Sequence, residues 1–247
     1  MEYGSIADDF FVNLSLQTTL ALPHNRETVL HFFEAVQKRF SSMSNFYQRE
    51  TGQFVLEGDR EHDSYRWLEL QPHNLSAGHF NPSSLEAAYE LHQWLLDRSV
   101  YYLGASGLDV ESLDVLFGFN LSFAGNRDSI VAQALLSSCP IGSLFACESA
   151  RLIECEPSLV IALDEGCHMQ ARLHLETHSS TFQVRTGQYE DEPISIYLTI
   201  RQYPRPGALL DLKTAFARQC EVCEDLASRI IIPNVLQAIS AAIAANQ

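Results

Sequence analysis

Two short stretches, Asn13-Leu14-Ser15 and Asn25-Arg26-Glu27-Thr28-Val29-Leu30, have close counterparts later in the chain. The counterparts are Asn120-Leu121-Ser122 and Asn126-Arg127-Asp128-Ser129-Ile130-Val131. Each pair predicts a strand followed by the first turn of a helix. The repetition indicates two related halves, residues 1–104 and residues 105–247, that together form one globular unit. The alternative is that two strand-to-helix turns resemble each other without a duplication.

Both stretches begin in segments that alternate between apolar and polar residues. Every second residue is apolar from Phe10 to Leu16, and again from Val115 to Phe123. Alternation of this kind is typical of a strand that is buried on one side only. Asn25 is a favourable N-cap for the first helix, and Asn126 is a favourable N-cap for its counterpart.

The rest of the chain predicts more strands and helices, ending in a helix over 209–244 that Pro233 is expected to kink or break. Antiparallel strands with one apolar face need helices on that face only. The sequence therefore predicts an α+β fold, with a curved, mostly antiparallel sheet and helices on one face. The other predicted elements are a hairpin of strands 45–57 and 63–72, a helix beginning at Asn81-Pro82, and strands near 149–163, 167–178 and 193–203.

The charge balance restricts the expected partners. The chain has 247 residues, with 16 basic and 31 acidic side chains and a net charge of −15. It contains no run of Lys or Arg, so neither nucleic acid nor an anionic membrane surface is expected to bind it. The most apolar stretch, 229–245, contains Pro233, Asn234 and Gln237, and we interpret it as a packed helix and not a membrane span.

The N-terminus and the cysteines predict the compartment. The first residues are acidic and lack the basic and then apolar segments of a secretory signal. All six cysteines lie after residue 138, and in a chain of this length without a signal they are expected to be free thiols. We therefore expect a soluble, cytoplasmic protein.

The element order resembles the duplicated sheet-and-helix plan of the TATA-box-binding-protein-like superfamily, and it is similar to that of helix-grip proteins. The chain also resembles an uncharacterised bacterial family of about this length. The segments that carry this likeness are 26–30, 32–36 (Phe-Phe-Glu-Ala-Val) and 113–119 (Leu-Asp-Val-Leu-Phe-Gly-Phe). The resemblance carries no catalytic motif and implies no activity. The acidic balance also sets the chain apart from the DNA-binding members.

Motifs for hydrolases, nucleotide-binding loops, dinucleotide folds and zinc proteases are missing from the sequence. The best chemical candidate is the set His174, Glu176 and His178, which projects to one side if the segment is a strand. Two imidazoles and a carboxylate are the ligands of a facial metal triad. Alternate residues on a strand lie about 7 Å apart, however, so one flat strand presents all three to one metal only under strain. A solvated polar face is the simpler interpretation, and no metal or other cofactor is expected.

The second chemical candidate is the pair Cys220 and Cys223, which form a C-x-x-C motif. Such a pair is reactive when a helix N-terminus lowers the pKa of its first thiol. Here the pair lies well inside a helical pattern, and we interpret both cysteines as small core residues.

The remaining candidate is the exposed face of the sheet. We expect it to bind an unknown protein or small molecule, or a second copy of the chain, so the leading hypothesis is a non-enzymatic binding or assembly protein. The alternative is a pocket between the sheet and the C-terminal helix that uses His174, Glu176 and Tyr197, in a ligand-binding protein or a metal-dependent enzyme. The candidate binding residues on the exposed face are Asn13, Ser15, Gln17, Asn120, Ser122, Arg172, His174, Glu176, Tyr197, Arg201 and Tyr203.

Overall fold

The computed structural model describes residue 3 and residues 6–147 and 150–246. In this part of the chain, nine antiparallel strands form a single open sheet, accompanied by six α-helices, so the α+β class is confirmed. The strands are β1 (Asp9–Thr18), β2 (Asn45–Gln48), β3 (Phe54–Glu57), β4 (Tyr65–Gln71), β5 (Asn74–Phe80), β6 (Val110–Ser122), β7 (Ser158–Ala162), β8 (Met169–Glu176) and β9 (Pro193–Gln202). Their order in the sheet is β2-β3-β4-β5-β1-β6-β9-β8-β7.

The helices begin at polar caps. The Asn25 side chain accepts a hydrogen bond from the Thr28 amide, and the Asn126 side chain accepts one from the Ser129 amide at 3.0 Å, so both predicted caps are confirmed. The helices are α1 (Arg26–Arg39), α2 (Leu85–Tyr102), α3 (Arg127–Leu135), α4 (Thr181–Thr186), α5 (Leu212–Leu226) and α6 (Gln237–Ala245), and a 3₁₀ segment spans Pro140–Ala146.

Strands β1 and β6 pair antiparallel at the centre of the sheet, with Val12 opposite Phe117 and Leu14 opposite Val115. The alternation predicted for these strands is confirmed, because Val12, Leu14, Val115 and Phe117 are all buried against the helices. The helices therefore cover one face of the sheet, and the polar residues between these positions lie on the other, which we call the open face.

The C-terminal helix packs on the covered face. It runs from Leu212 to Ala245, and by length and composition alone it is apolar enough to cross a membrane. Its buried residues, such as Phe216 and Leu236, belong to the same core as the central strands. Pro233 does not break it. The backbone instead widens to a π-helix over Ala227–Leu236, because proline has no amide hydrogen for the regular ladder.

Several predicted boundaries were wrong. The segment 45–57 forms two strands, because Gly52 turns the chain with a φ of +95°. Strand β5 was missed. Helix α2 begins at Leu85 with Ser84 as its cap, whereas Asn81 accepts a hydrogen bond from the Phe10 amide and fastens β5 to β1. Strand β7 spans only 158–162, and the predicted start at residue 149 lies outside the described residues.

Candidate functional site

The open face carries the polar residues that the sequence assigned to it. Asn13 and Ser15 lie on β1 and Asn120 lies on β6, each between buried neighbours of the same strand. Arg172 is an exposed residue of β8 that follows the buried Ala171. A row of aromatic side chains that the sequence analysis did not anticipate divides this face into two regions.

The aromatic row follows the register of the sheet. Tyr65 on β4 lies opposite Phe80, Phe80 opposite Phe11, and Tyr197 on β9 opposite His174 on β8. The ring centroids are 5.2 Å apart for Tyr65 and Phe80, 5.9 Å for Phe80 and Phe11, 6.2 Å for Phe11 and Tyr197, and 6.3 Å for Tyr197 and His174. These spacings fall in the range of favourable aromatic pairs, so the row links strands from β4 to β8.

Gly118 makes the row continuous. It lies on β6 between Phe11 and Tyr197 in the register, where any other residue would place a side chain. A β-carbon built there would overlap the Phe11 ring. The glycine therefore lets the Phe11 ring lie across β6 and reach Tyr197.

One region of the open face is a cavity of about 540 Å³, which we call the sheet cavity. Its walls include side chains from β4 at one end and from β7 at the other. A flat sheet would hold these strands about 29 Å apart, so the open face is concave between them. The side chains that line the cavity on the open face are Asn13, Ser15, Trp67, Ser76, Asp114, Leu116, Ser158, Val160, Gln170, Arg172, Thr199 and Arg201.

The two arginines of the sheet cavity differ in their partners. The Arg201 guanidinium donates from Nε to Asp114 Oδ1 at 2.8 Å and from Nη2 to Asp114 Oδ2 at 2.5 Å. This pair raises the pKa of Arg201, chiefly through the hydrogen bonds to Asp114, and keeps the guanidinium charged. Arg172 donates from Nε to Ser158 Oγ at 3.3 Å and has no acidic partner in the described part of the chain.

The other region centres on the Glu176 carboxylate. Its Oε1 lies 3.3 Å from His174 Nε2, its Oε2 lies 3.5 Å from His178 Nε2, and Tyr197 donates its hydroxyl hydrogen to Oε2 at 3.1 Å. Burial raises the pKa of the Tyr197 phenol, and the Glu176 charge adds to the shift, so Tyr197 stays a neutral donor at physiological pH.

The structure therefore brings His174, Glu176 and His178 together. The Glu176 carboxylate is already contacted by both imidazoles and by the Tyr197 hydroxyl group. His178 follows the end of β8 with a φ of +52°, which turns it back toward Glu176. Within residues 6–147 and 150–246, no three His, Cys, Asp or Glu side chains are placed to share a metal ion.

The predicted pocket between the sheet and the C-terminal helix is not where His174, Glu176 and Tyr197 lie. All three project from the open face, while the next residues on β8 and β9, including Leu175 and Ile196, fill the core beneath the helix. The alternation of a strand separates neighbouring residues to opposite faces, so these three do not line a space under that helix.

The C-x-x-C thiols are buried in α5. Burial raises the pKa of the Cys220 thiol to about 12, and it also raises the pKa of Cys223 well above its ordinary value. Cys223 donates weakly to the Val115 carbonyl at 3.7 Å. Both cysteines are therefore core residues of the kind that the sequence suggested, without the lowered pKa of a reactive thiol.

Three of the predicted face residues lie outside both regions. Gln17 donates to Ser15 Oγ at 3.3 Å, and Tyr203 follows β9 with its ring centroid 6.0 Å from the Arg201 guanidinium carbon. Ser122 is exposed at the end of β6. Asn120 lies beside the Glu176 region and accepts a hydrogen bond from Ser195 Oγ at 2.9 Å.

Tyr197 and Tyr203 were predicted on the open face, but Phe11, Tyr65, Trp67, Phe80 and the Asp114 carboxylate were not. Phe10, Phe11 and Val12 are three apolar residues in a row, and neighbouring residues of a strand point to opposite faces. The sequence therefore did contain a signal that the Phe11 ring lies on the open face. Tyr65 and Trp67 are two positions apart on β4 and therefore share a face. Which face they share became clear only from the register of β4 with β5.

Two other clefts lie among the helices, one of about 440 Å³ between α2 and α5 and one of about 960 Å³ between α1 and α2. The second is lined by charged residues of the outer helix surface, such as Glu27, Glu34 and Arg98. Neither contains a residue of the predicted binding face.

Comparison of the chain with models of known protein families and with curated proteins found no match.

Proposed function

We propose that this chain is a non-enzymatic binding protein that holds a ligand on the open face of its sheet, seated in the sheet cavity. The observation that carries the proposal is the concave wall that seven strands build at the predicted face, with a volume of about 540 Å³. A volume of this size is typical of sites for small organic molecules.

The composition of the wall also favours binding. Trp67, Leu116 and Val160 supply apolar surface, while hydroxyl and amide groups such as Thr199 and Gln170 supply hydrogen-bonding groups. Binding sites of proteins combine largely apolar walls with a few polar groups that orient the ligand. The strands fix the backbone beneath these groups, so the site is held in place before a ligand arrives.

Native mass spectrometry of the protein purified gently from its own host tests this proposal. The wild-type chain is expected to carry extra mass that denaturation removes, and Thr199→Trp is expected to lose it because the indole occupies the sheet cavity. Thr214→Trp, an exposed position on α5 behind the covered face, is the control and should retain the mass. A bare wild-type chain, or a Thr199→Trp variant that keeps the same mass, would contradict the proposal.

A second candidate function is assembly through the edge strand β7. Leu159, Val160 and Ile161 are 62%, 54% and 45% exposed, and the strand carries neither a charge nor a proline. Edge strands with exposed apolar residues and no such protection pair readily with another strand. A second copy could add antiparallel about a twofold axis at Val160, which would place Leu159 of each copy opposite Ile161 of the other.

Sedimentation of the purified protein over a range of concentrations tests this assembly. Val160→Lys should shift a dimer to monomer because it places two like charges opposite each other at the axis. The same change at Leu20, which is 67% exposed, is the control. A wild-type chain that stays monomeric at high concentration would rule this assembly out.

We infer further that the two halves descend from one strand–helix–strands–helix unit and that the protein works in the cytoplasm. The paired caps Asn25 and Asn126 and the antiparallel meeting of β1 with β6 support a common origin. The six cysteines support the cytoplasm, since each is a free thiol in the described structure. A half-length relative that dimerises through its first strand would test the first inference, and localisation of a tagged chain would test the second.

A further inference from the structure

We infer that the ligand of the sheet cavity is an organic monoanion, with a carboxylate-like group held by Arg172 and an apolar body that extends along the wall toward Trp67. This inference rests on the proposed binding function and specifies the class of ligand.

The wall of the sheet cavity carries one net positive charge. Asp114 neutralises Arg201 through two hydrogen bonds, at 2.8 and 2.5 Å, so this pair contributes no net charge. Arg172 then leaves the wall with one positive charge in a chain whose overall charge is −15. A single guanidinium without an acidic partner matches a ligand with one negative charge, because one carboxylate can accept from both of its terminal nitrogens.

The Arg172 guanidinium is free to bind a ligand through its terminal nitrogens. Its guanidinium uses Nε for Ser158 Oγ, at 3.3 Å, and its terminal nitrogens have no hydrogen-bond partner in the described structure. These nitrogens form the fork that binds a carboxylate through two parallel hydrogen bonds. Thr199 lies directly opposite Arg172 in the register and offers a hydroxyl group to the same ligand.

Leu116 and Trp67 supply apolar surface along the wall away from Arg172. In the register of the sheet, Thr199 is opposite Leu116, and Leu116 is opposite Asn13. On the next strand Gly78 has no side chain, and a β-carbon there would overlap both the Asn13 side-chain amide and the Trp67 indole. The glycine therefore lets the indole lie over β5 toward the cavity, where it offers an aromatic wall to the body of the ligand.

The test uses the fluorescence of Trp67, one of two tryptophans in the chain. In a Trp94→Phe background the emission comes from Trp67 alone. The probes are two matched pairs, 4-phenylbutanoate with 4-phenylbutanamide and octanoate with octanamide, together with inorganic phosphate. The carboxylates are expected to change the Trp67 emission and to bind roughly tenfold more tightly than their amides, the gain of a charged hydrogen-bond pair.

Two substitutions assign this difference to Arg172. Arg172→Gln is expected to reduce the affinity of each carboxylate to that of its amide, whereas Arg218→Gln, an exposed position on α5, should change neither. If the amides bind as tightly as the carboxylates, the inference of a monoanionic ligand is wrong, while the proposed binding function is still supported. Phosphate that binds more tightly than both carboxylates would also overturn it. If no probe alters Trp67 at millimolar concentration, this ligand class is wrong, and the Thr199→Trp mass measurement decides the binding function separately.

Discussion

Acid should destabilise this protein well above the pH at which carboxylates titrate, because two histidines are buried without charge. His92 is fully buried, and neither ring nitrogen has a hydrogen-bond partner in the described structure. Burial lowers its pKa to about 3 from an ordinary value of 6.5. His79 is 5% exposed, and burial together with the nearby Arg66 charge lowers its pKa to about 4.

The size of the effect follows from these shifts. Below pH 6.5 the unfolded chain binds a proton on each imidazole, whereas the folded chain does so only near pH 4 for His79 and near pH 3 for His92. The free energy of unfolding therefore falls as the pH falls through this window. At pH 5 the difference is about 1.5 pH units for each histidine, or about 2 kcal/mol each and about 4 kcal/mol together. A folded domain usually has a free energy of unfolding of about 5–15 kcal/mol, so this loss is a large part of the total.

Urea denaturation at pH 7 and pH 5 measures this loss. The wild-type protein should lose about 4 kcal/mol between the two values, and His92→Leu should lose about half as much because only His79 then contributes. His62→Leu, an exposed position on the β3–β4 connection, should behave as the wild type. An equal loss in wild type and His92→Leu would refute the reasoning.

Two further substitutions test the aromatic row of the open face and the buried Arg127 side chain. Gly118→Val should lower the free energy of unfolding by about 1–3 kcal/mol, because the new side chain displaces the Phe11 ring. Adding Phe11→Ala to this variant should restore part of the loss. An unchanged urea midpoint in Gly118→Val would contradict the role of the glycine. Arg127→Met should cost about 3 kcal/mol or more, because the buried guanidinium donates to the carbonyls of Thr177 at 2.5 Å and Glu190 at 2.8 Å. Hydrogen exchange should then accelerate over residues 177–190, and unchanged protection there would refute this role of Arg127.

Much of the fold was predictable because it depends on local pattern. The alternation in β1 and β6 identified their buried faces, and the two asparagine caps located the starts of α1 and α3. Strand β5 escaped prediction because its middle residues, Ser76, Ala77 and Gly78, have low strand propensity, and pairing with β4 and β1 stabilises it instead.

The candidate site was predictable only in part. Period-two alternation assigned Asn13, Ser15, Arg172 and Arg201 to one face, and the structure places all four in the sheet cavity. The same reasoning treated Arg201 as a free binding group, whereas Asp114 holds it in an ion pair. That pairing depends on strands β6 and β9 being neighbours, which no local pattern reveals.

The sequence by itself determined which residues of β1 and β6 share a face and where α1 and α3 begin, because side-chain direction in a strand and capping at a helix start depend on residues only a few positions apart. The tertiary structure alone decided the aromatic row, the sheet cavity and the isolation of Arg172. Each of these joins strands far apart in sequence, such as β4, β6 and β8, whose order and register arise only when the whole sheet assembles.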